Sequence, residues 1–156
     1  MYIETKRCII RRFEAEDKEA LYEVLSDAEV MKYIEPPFTF LQTEAFIKEA
    51  GTGEKPLVYA LEYKEGHRVI GHVIFHAYEE KCFEIGWIIN KKYWGKGLAG
   101  EVTEALIEYS RNLGMVSCVM ECDPNQKATG HIALKYGFVY EGLMDGREVY
   151  RLYLST

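Results

Sequence analysis

No apolar run among the 156 residues approaches the roughly 20 needed to span a bilayer. The opening Met1-Tyr2-Ile3-Glu4-Thr5-Lys6 carries no apolar stretch of the signal-peptide kind. The expectation is a soluble, cytoplasmic protein with no membrane partner. Positive charge is short as well: 19 Lys and Arg stand against 25 Asp and Glu, for a net charge of −6. Binding nucleic acid needs clustered cations with an excess positive field, so that partner class is excluded, whereas a cationic substrate is tolerated. The four cysteines, Cys8, Cys82, Cys118 and Cys122, lie in apolar segments without Cys-x-x-Cys or Cys/His ligand spacing. They read as small buried hydrophobes in a reducing compartment, with neither disulfide framework nor metal expected. No repeat or low-complexity segment appears, and no Gly-x-x-x-x-Gly-Lys-Ser/Thr string occurs, which removes the main support for nucleotide hydrolysis.

What is present is an ordered domain. Apolar residues make up 48% of the chain and aromatics 13%, enough for one self-sufficient core over residues 1–156. The apolar, β-branched run Arg7–Phe13 reads as a strand, and Glu14-Ala15-Glu16-Asp17 as a helix start. Ala20, Leu21, Val24 and Leu25 share one helical face. A short helix over Ala28–Tyr33 precedes Pro36-Pro37, which no helix crosses because proline lacks the amide donor. A further helix follows over Leu41–Ala50. Leu57–Tyr63, Val69–Ala77 and Cys82–Ile89 are strand-like runs with short polar separators, the pattern of an antiparallel meander. Beyond Gly100 the period changes: Val102, Ala105, Leu106, Tyr109 and Leu113 recur at helical spacing up to Gly114. Val116–Glu121 is then a strand, Gln126–Tyr136 a helix, and Phe138–Glu141 and Val149–Leu154 are strands joined through Asp145-Gly146.

The chemistry concentrates where the strand Cys82–Ile89 runs through Asn90-Lys91-Lys92-Tyr93 into Trp94-Gly95-Lys96-Gly97-Leu98-Ala99-Gly100 and on into the amphipathic helix. Glycine lets backbone approach a ligand closely, and the unpaired amides of a first helical turn, with the helix dipole, make an anion site. A phosphate-bearing ligand suits such a turn; so does a plain strand-to-helix connection. This segment resembles the loop of the GNAT acetyltransferase superfamily, Arg/Gln-x-x-Gly-x-Gly/Ala, with Trp94 at the Arg/Gln position and Gly97 and Ala99 matching. Trp-Gly-x-Gly is similar to the RimJ/RimL-like branch (ribosomal-protein N-terminal acetyltransferases), in which an aromatic commonly precedes the loop. Arg7–Phe13 with Asp17, Glu29–Tyr33, Asn125 and Lys135-Tyr136-Gly137-Phe138 extend the resemblance over most of the chain.

The resemblance implies an α/β fold with a mixed, mostly antiparallel sheet of about seven strands, a central parallel pair (Cys82–Ile89 and Val116–Glu121) and about four flanking helices. It also implies acetyl-CoA as cosubstrate, no metal, and an acceptor that is a primary amine, either a small molecule or a protein N-terminus, on a monomer or homodimer. Trp94, Gly95, Lys96, Gly97, Leu98, Ala99 and Gly100 would hold the pyrophosphate, although Lys96 reads equally as a solvated loop lysine. Trp87, Ile88 and Ile89 would line the pantetheine arm while also serving as sheet core. Asn125 is either a cofactor contact or the N-cap of the next helix. The family's Ser falls on Ala128 or Thr129, with Thr129 favoured by counting back from Gly137.

A protonated amine must lose a proton before it attacks a thioester. Glu84 fits as the base, partial burial raising its pKa toward a useful range, against the alternative of a surface carboxylate. The Tyr that commonly protonates the departing thiolate is replaced by Ala133, so Tyr136, Thr129 or a water on Asn125 would have to substitute. The acceptor wall is expected from the loop Ile34–Leu41, with Tyr33, Glu35 and Phe38, and from the C-terminal hairpin. None of the four histidines pairs with a nucleophile at recognisable spacing, which leaves direct transfer in a ternary complex. A non-catalytic acyl-CoA-binding module on the same fold is the alternative.

Overall fold

The computed structural model describes residues 1–155. The run around Cys8 and Ile10 pairs on both sides, with β1 (Ile3–Glu4) and with β3 (Val58–Tyr63), and so becomes the second strand, β2 (Cys8–Arg11). The next strands are β4 (Arg68–Glu79) and β5 (Cys82–Ile89), and β6 (Ser117–Cys122), β7 (Val139–Met144) and β8 (Arg147–Tyr153) complete one sheet in the order β1-β2-β3-β4-β5-β6-β8-β7. Every neighbour pair is antiparallel except β5 with β6. The sheet holds eight strands rather than seven because the dipeptide β1, too short for a period to register, folds back onto β2.

Five helices cover it: α1 (Lys18–Leu25), α2 (Ala28–Met31), α3 (Phe40–Ala50), α4 (Leu98–Asn112) and α5 (Lys127–Lys135). Asp17 anchors the start of α1. It accepts the Glu14 amide at 2.8 Å and both terminal nitrogens of Arg11 at 2.9 and 3.0 Å, while Arg11 Nε donates to Glu62 at 2.9 Å. Thr39 and Gln42 cap α3 reciprocally. That box starts the helix at Phe40, one residue ahead of the expected boundary.

Strand alternation sends side chains to two separate cores. Tyr59 and Leu61 of β3, Val73 and Phe75 of β4 and Ile85 of β5 pack with Leu98, Val102 and Leu106 of α4 and Ala133 of α5. On the opposite face Val58 and Ala60 meet Leu21, Val24 and Leu25 of α1 and Ile47 of α3. Alternation is interrupted between β3 and β4. Ile70 and Val73 share a core although three positions apart, because the β3–β4 register slips at Leu61/Glu62 and leaves a bulge beside Gly71. A Cβ on Gly71 would stand 1.9 Å from the Ile88 carbonyl oxygen, so the bulge brings β4 backbone hard against the end of β5. Among the described residues no helix is long and apolar enough to cross a membrane.

His72 lies on β4 opposite Ile88, buried against the Phe46 ring at 5.1 Å, with its Nδ1 unpartnered. Burial pushes its pKa down from 6.5 to about 4. Between those values the unfolded chain takes up the proton and the fold does not, so stability falls as pH drops through this window. From pH 7.5 to 5.0, wild type should lose about 2 kcal/mol more unfolding free energy than His72→Leu. Urea unfolding of both proteins at the two pH values checks this, and equal losses would contradict it.

Candidate active site

The parallel pairing of β5 and β6 is brief. It runs Cys82↔Ser117, Phe83↔Cys118 and Glu84↔Val119, and there it stops. From Ile85 onward β5 has a partner only in β4. Asn90 donates its N–H to Ile70 of β4 at 2.7 Å. Because successive residues of a strand address opposite edges, Trp87 and Ile89 direct their backbone groups away from β4, into the gap. The Ile89 carbonyl is met there by Trp94 Nε1 at 2.8 Å.

Beyond β5, Asn90 is buried and caps a single 3-10 turn over Lys91–Tyr93, accepting the Lys92 amide at 3.0 Å. Its side-chain amide donates to Glu23 of α1 at 3.0 Å, tying the turn to the domain. Gly95 and Gly97 then adopt φ of +78° and +79°, the left-handed region that side chains resist. Gly97 is the N-cap of α4 and has no side chain to satisfy the first-turn amides. The helix thus begins at Leu98, inside the glycine loop, so Leu98, Ala99 and Gly100 present those amides themselves.

Loop, splay and helices enclose a cleft of about 790 Å³. It is lined by Trp87, Ile88, Ile89, Trp94, Gly95, Gly97, Leu98, Ala99, Gly100, Asn125, Thr129, Tyr136 and Tyr33, all expected site residues, now brought together from four parts of the chain. Trp87 and Ile89 also pack into one core and Ile88 into the other, so each lines the cleft and belongs to a core. Asn125 is not the cap of α5, since Gln126 precedes the helix. Asp123 instead holds Asn125 through its N–H at 2.8 Å and its side-chain amide at 3.1 Å. A Cβ on Gly100 would stand 2.8 Å from the Tyr136 hydroxyl; the bare glycine lets that hydroxyl lie over the first turn of α4. Ala133 is fully buried in the core beneath α5.

Three expected residues stand apart from the cleft, and a fourth adjoins it. Lys96 does not line it; its carbonyl accepts from Arg7 Nη1 at 2.8 Å on the far side of the loop. Phe38 packs edge-on against Phe46 at 5.8 Å and belongs to the second core, and Glu35 is exposed beyond the wall. Glu84 lines a smaller cavity of about 60 Å³ that shares Ile34, Trp87, Ile88, Gln126 and Thr129 with the main cleft. Its carboxylate lies 3.4 Å from His76 Nε2, while His76 Nδ1 lies 3.0 Å from the Ala77 carbonyl. The hydrogen bond that His76 donates to Glu84 raises the His76 pKa. Glu121 of β6 faces the same small cavity, 3.6 Å from Arg147, and its hydrogen bond pushes the Tyr78 phenol up to about 12.

The wall also contains residues that period and motif did not single out: Ile132 and the lysines Lys32, Lys127 and Lys135. These three lysines line a cleft in a net acidic protein. Glu29 lines the same cleft, whereas Glu101, in the first turn of α4, is paired with Thr5 and Arg7 outside it. Burial works against its ionisation, but hydrogen bonds from Thr5 and from the Arg7 backbone and side chain hold its pKa below the usual value. Among the described residues no group of three or more His, Cys, Asp or Glu is placed to hold a metal ion.

A strand pair that parts beside a glycine-rich helix start defines an acyltransferase of the GNAT class, and the comparisons agree. Residues 7–139 match the acetyltransferase (GNAT) domain family, so the chain belongs to that family. It is 35% identical over 145 residues to the N-acetyltransferase YnaD of Bacillus subtilis, covering 91% of this chain and 85% of that protein. The crystal structure of a GNAT-family acetyltransferase from Bacillus anthracis superposes with a TM-score of 0.89 at 29% identity, covering 98% of each chain. The fold is shared too with the microcin C7 self-immunity acetyltransferase MccE, solved with acetyl-CoA and AMP, at a TM-score of 0.80 and 20% identity over 96% of this chain and 93% of that one.

Gly97→Val puts a β-branched side chain into a left-handed position that costs it roughly 1–2 kcal/mol or more. The variant should bind CoA at least about tenfold more weakly by calorimetry. Undiminished binding would remove this loop from the cofactor site.

Proposed function

We propose that the protein transfers acetyl from acetyl-CoA directly to a primary amine, with Glu84 as the base. The observation that carries this reading is the brief β5–β6 pairing, which leaves an open strand edge leading from the glycine loop to Glu84. The residues present fit the cosubstrate. Gly95 and Gly97 and the first-turn amides of Leu98, Ala99 and Gly100 suit a pyrophosphate. The backbone groups of Trp87 and the N–H of Ile89, turned away from β4, suit the amides of a pantetheine arm, and Asn125 and Thr129 line the opposite wall. Lys32, Lys127 and Lys135 add cations to the rim.

The thioester supplies an activated acetyl group. The acceptor ammonium first gives one proton to Glu84, directly or through one water; the freed nitrogen attacks the carbonyl carbon, the C–S bond breaks, and the nitrogen's second proton replaces the one that Tyr136 gives to the thiolate. An alkylamine with a pKa near 10.4 is almost wholly protonated at neutral pH, so a positioned base is worth about 100-fold or more. His76, hydrogen-bonded on its other side to Ala77, orients the carboxylate. The departing thiolate takes its proton from Tyr136, whose hydroxyl lies over the helix start; Ala133 offers none. Glu121 beside Glu84 gives the small cavity an acidic floor suited to an ammonium group, and Tyr33 forms part of the outer wall. The aromatic Trp94 at the head of the loop and the opening Arg7–Phe13 support placement near the RimJ/RimL-like branch, with a small-molecule amine or a protein N-terminus as acceptor.

Free-thiol release from acetyl-CoA over an amine panel tests the reaction; tight CoA binding with no release on any amine would favour a binding module instead. Glu84→Gln should lower kcat about 100-fold at pH 7.5 while acetyl-CoA affinity stays within about twofold. Unchanged turnover would take Glu84 out of the mechanism.

A further inference from the structure

Arg7 lies in the connection from β1 to β2 and does not line the cleft, yet it bonds to both the glycine loop and the first turn of α4 from behind. Its Nε donates to Glu101 Oε1, its backbone N–H to Glu101 Oε2 and its Nη1 to the Lys96 carbonyl, each at 2.8 Å. Its Nη2 lies 3.6 Å from where a Cβ on Gly97 would stand. Thr5 Oγ1 adds a bond to Glu101 Oε2 at 2.6 Å.

Two consequences follow from these distances. The Lys96 carbonyl is held backward, which fixes the trans Lys96–Gly97 peptide plane and so turns the Gly97 N–H to the opposite side of the loop. Glu101, one turn into the helix, is an acid close to an anion site, and a carboxylate there opposes phosphate unless it is neutralised. Thr5 and Arg7 engage both of its oxygens and draw it toward the β1–β2 corner. Trp94, at the head of the loop, cannot replace this service: it is uncharged and commits its one polar hydrogen to Ile89.

We propose that Arg7 is a cofactor-positioning residue, which orders the pyrophosphate loop through Lys96 and cancels the charge of Glu101 from behind the loop. The proposal rests on acetyl-CoA occupying the cleft as argued above. It separates pyrophosphate binding from the rest of the cosubstrate, because the pantetheine arm meets β5 rather than the clasp.

The test compares CoA with pantetheine, which shares the arm and lacks the pyrophosphate and nucleotide. Binding of each to wild type, Arg7→Gln and Arg7→Lys is measured by calorimetry, with thermal unfolding of every protein alongside. Arg7→Gln should raise the Kd for CoA about tenfold and leave that for pantetheine within about twofold, and Arg7→Lys, which keeps the charge but not the fork, should fall between. With acetyl-CoA and acetyl-pantetheine as donors, the effect should appear in KM for acetyl-CoA with kcat little changed. Equal loss toward both ligands, or no loss toward CoA, overturns the proposal. If Arg7→Gln does not fold, the same ratio in Arg7→Lys decides. Wild type binding neither ligand would instead overturn the occupant of the cleft, and wild type binding CoA without thiol release would overturn the reaction but leave the Arg7 comparison intact.

Discussion

Two parallel strands that pair for three residues and then separate are the constraint around which the rest of this protein is arranged. A sheet interior ordinarily satisfies every backbone N–H and C=O, and leaving some open in a partly buried wall is costly unless something polar meets them. The flanking structure keeps that opening from closing. The bulge at Gly71 presses β4 backbone against Ile88 from one side, and the Trp94 indole takes up the Ile89 carbonyl at the far end. Asn90, capped onto the following turn and tethered to Glu23, turns the chain away from β6 at the point where a straight strand would rejoin it.

Two cores on opposite faces allow such a gap without loss of the fold. The face under α4 and α5 packs Phe83, Leu106 and Cys118 across the paired portion of β5 and β6, and the face under α1 and α3 anchors β3 and β4 independently. The part of the second face beyond those helices carries His76, Glu84 and Glu121. The sheet therefore has one end where first-turn amides and lysines gather and another where Glu84 and Glu121 stand. A reaction between an anionic donor and a cationic acceptor suits that division, since each ligand is attracted to its own end and repelled by the other.

Much of this was legible in the order of residues. Glycines at 95 and 97 announce backbone that no side chain tolerates, and the helical period from Val102 to Leu113 is a local signal that tertiary packing reinforces. The antiparallel meander was also readable, because short separators permit only that connection, whereas the parallel pair followed from the family resemblance. The bulge at Gly71 was not, since a glycine within a strand-like run looks the same whether or not a neighbouring carbonyl stands 1.9 Å from its missing Cβ. Phe38 and Glu35 were placed at the acceptor wall because loops carry specificity, but a Phe facing Phe46 gains more from burial than from solvent. The clasp of Thr5, Arg7 and Glu101 joins positions 94 and 96 residues apart, a separation at which no period or motif operates.

The arrangement around Trp94 has an optical consequence. The chain has two tryptophans, and both line the same cleft, Trp87 on the inner wall and Trp94, 47% exposed, at the entrance. Indole emission excited at the red edge of the absorption band therefore originates from a single locale. The protein carries its own reporter there, blind to the distant edge strands and sensitive to whatever displaces water from between those two rings.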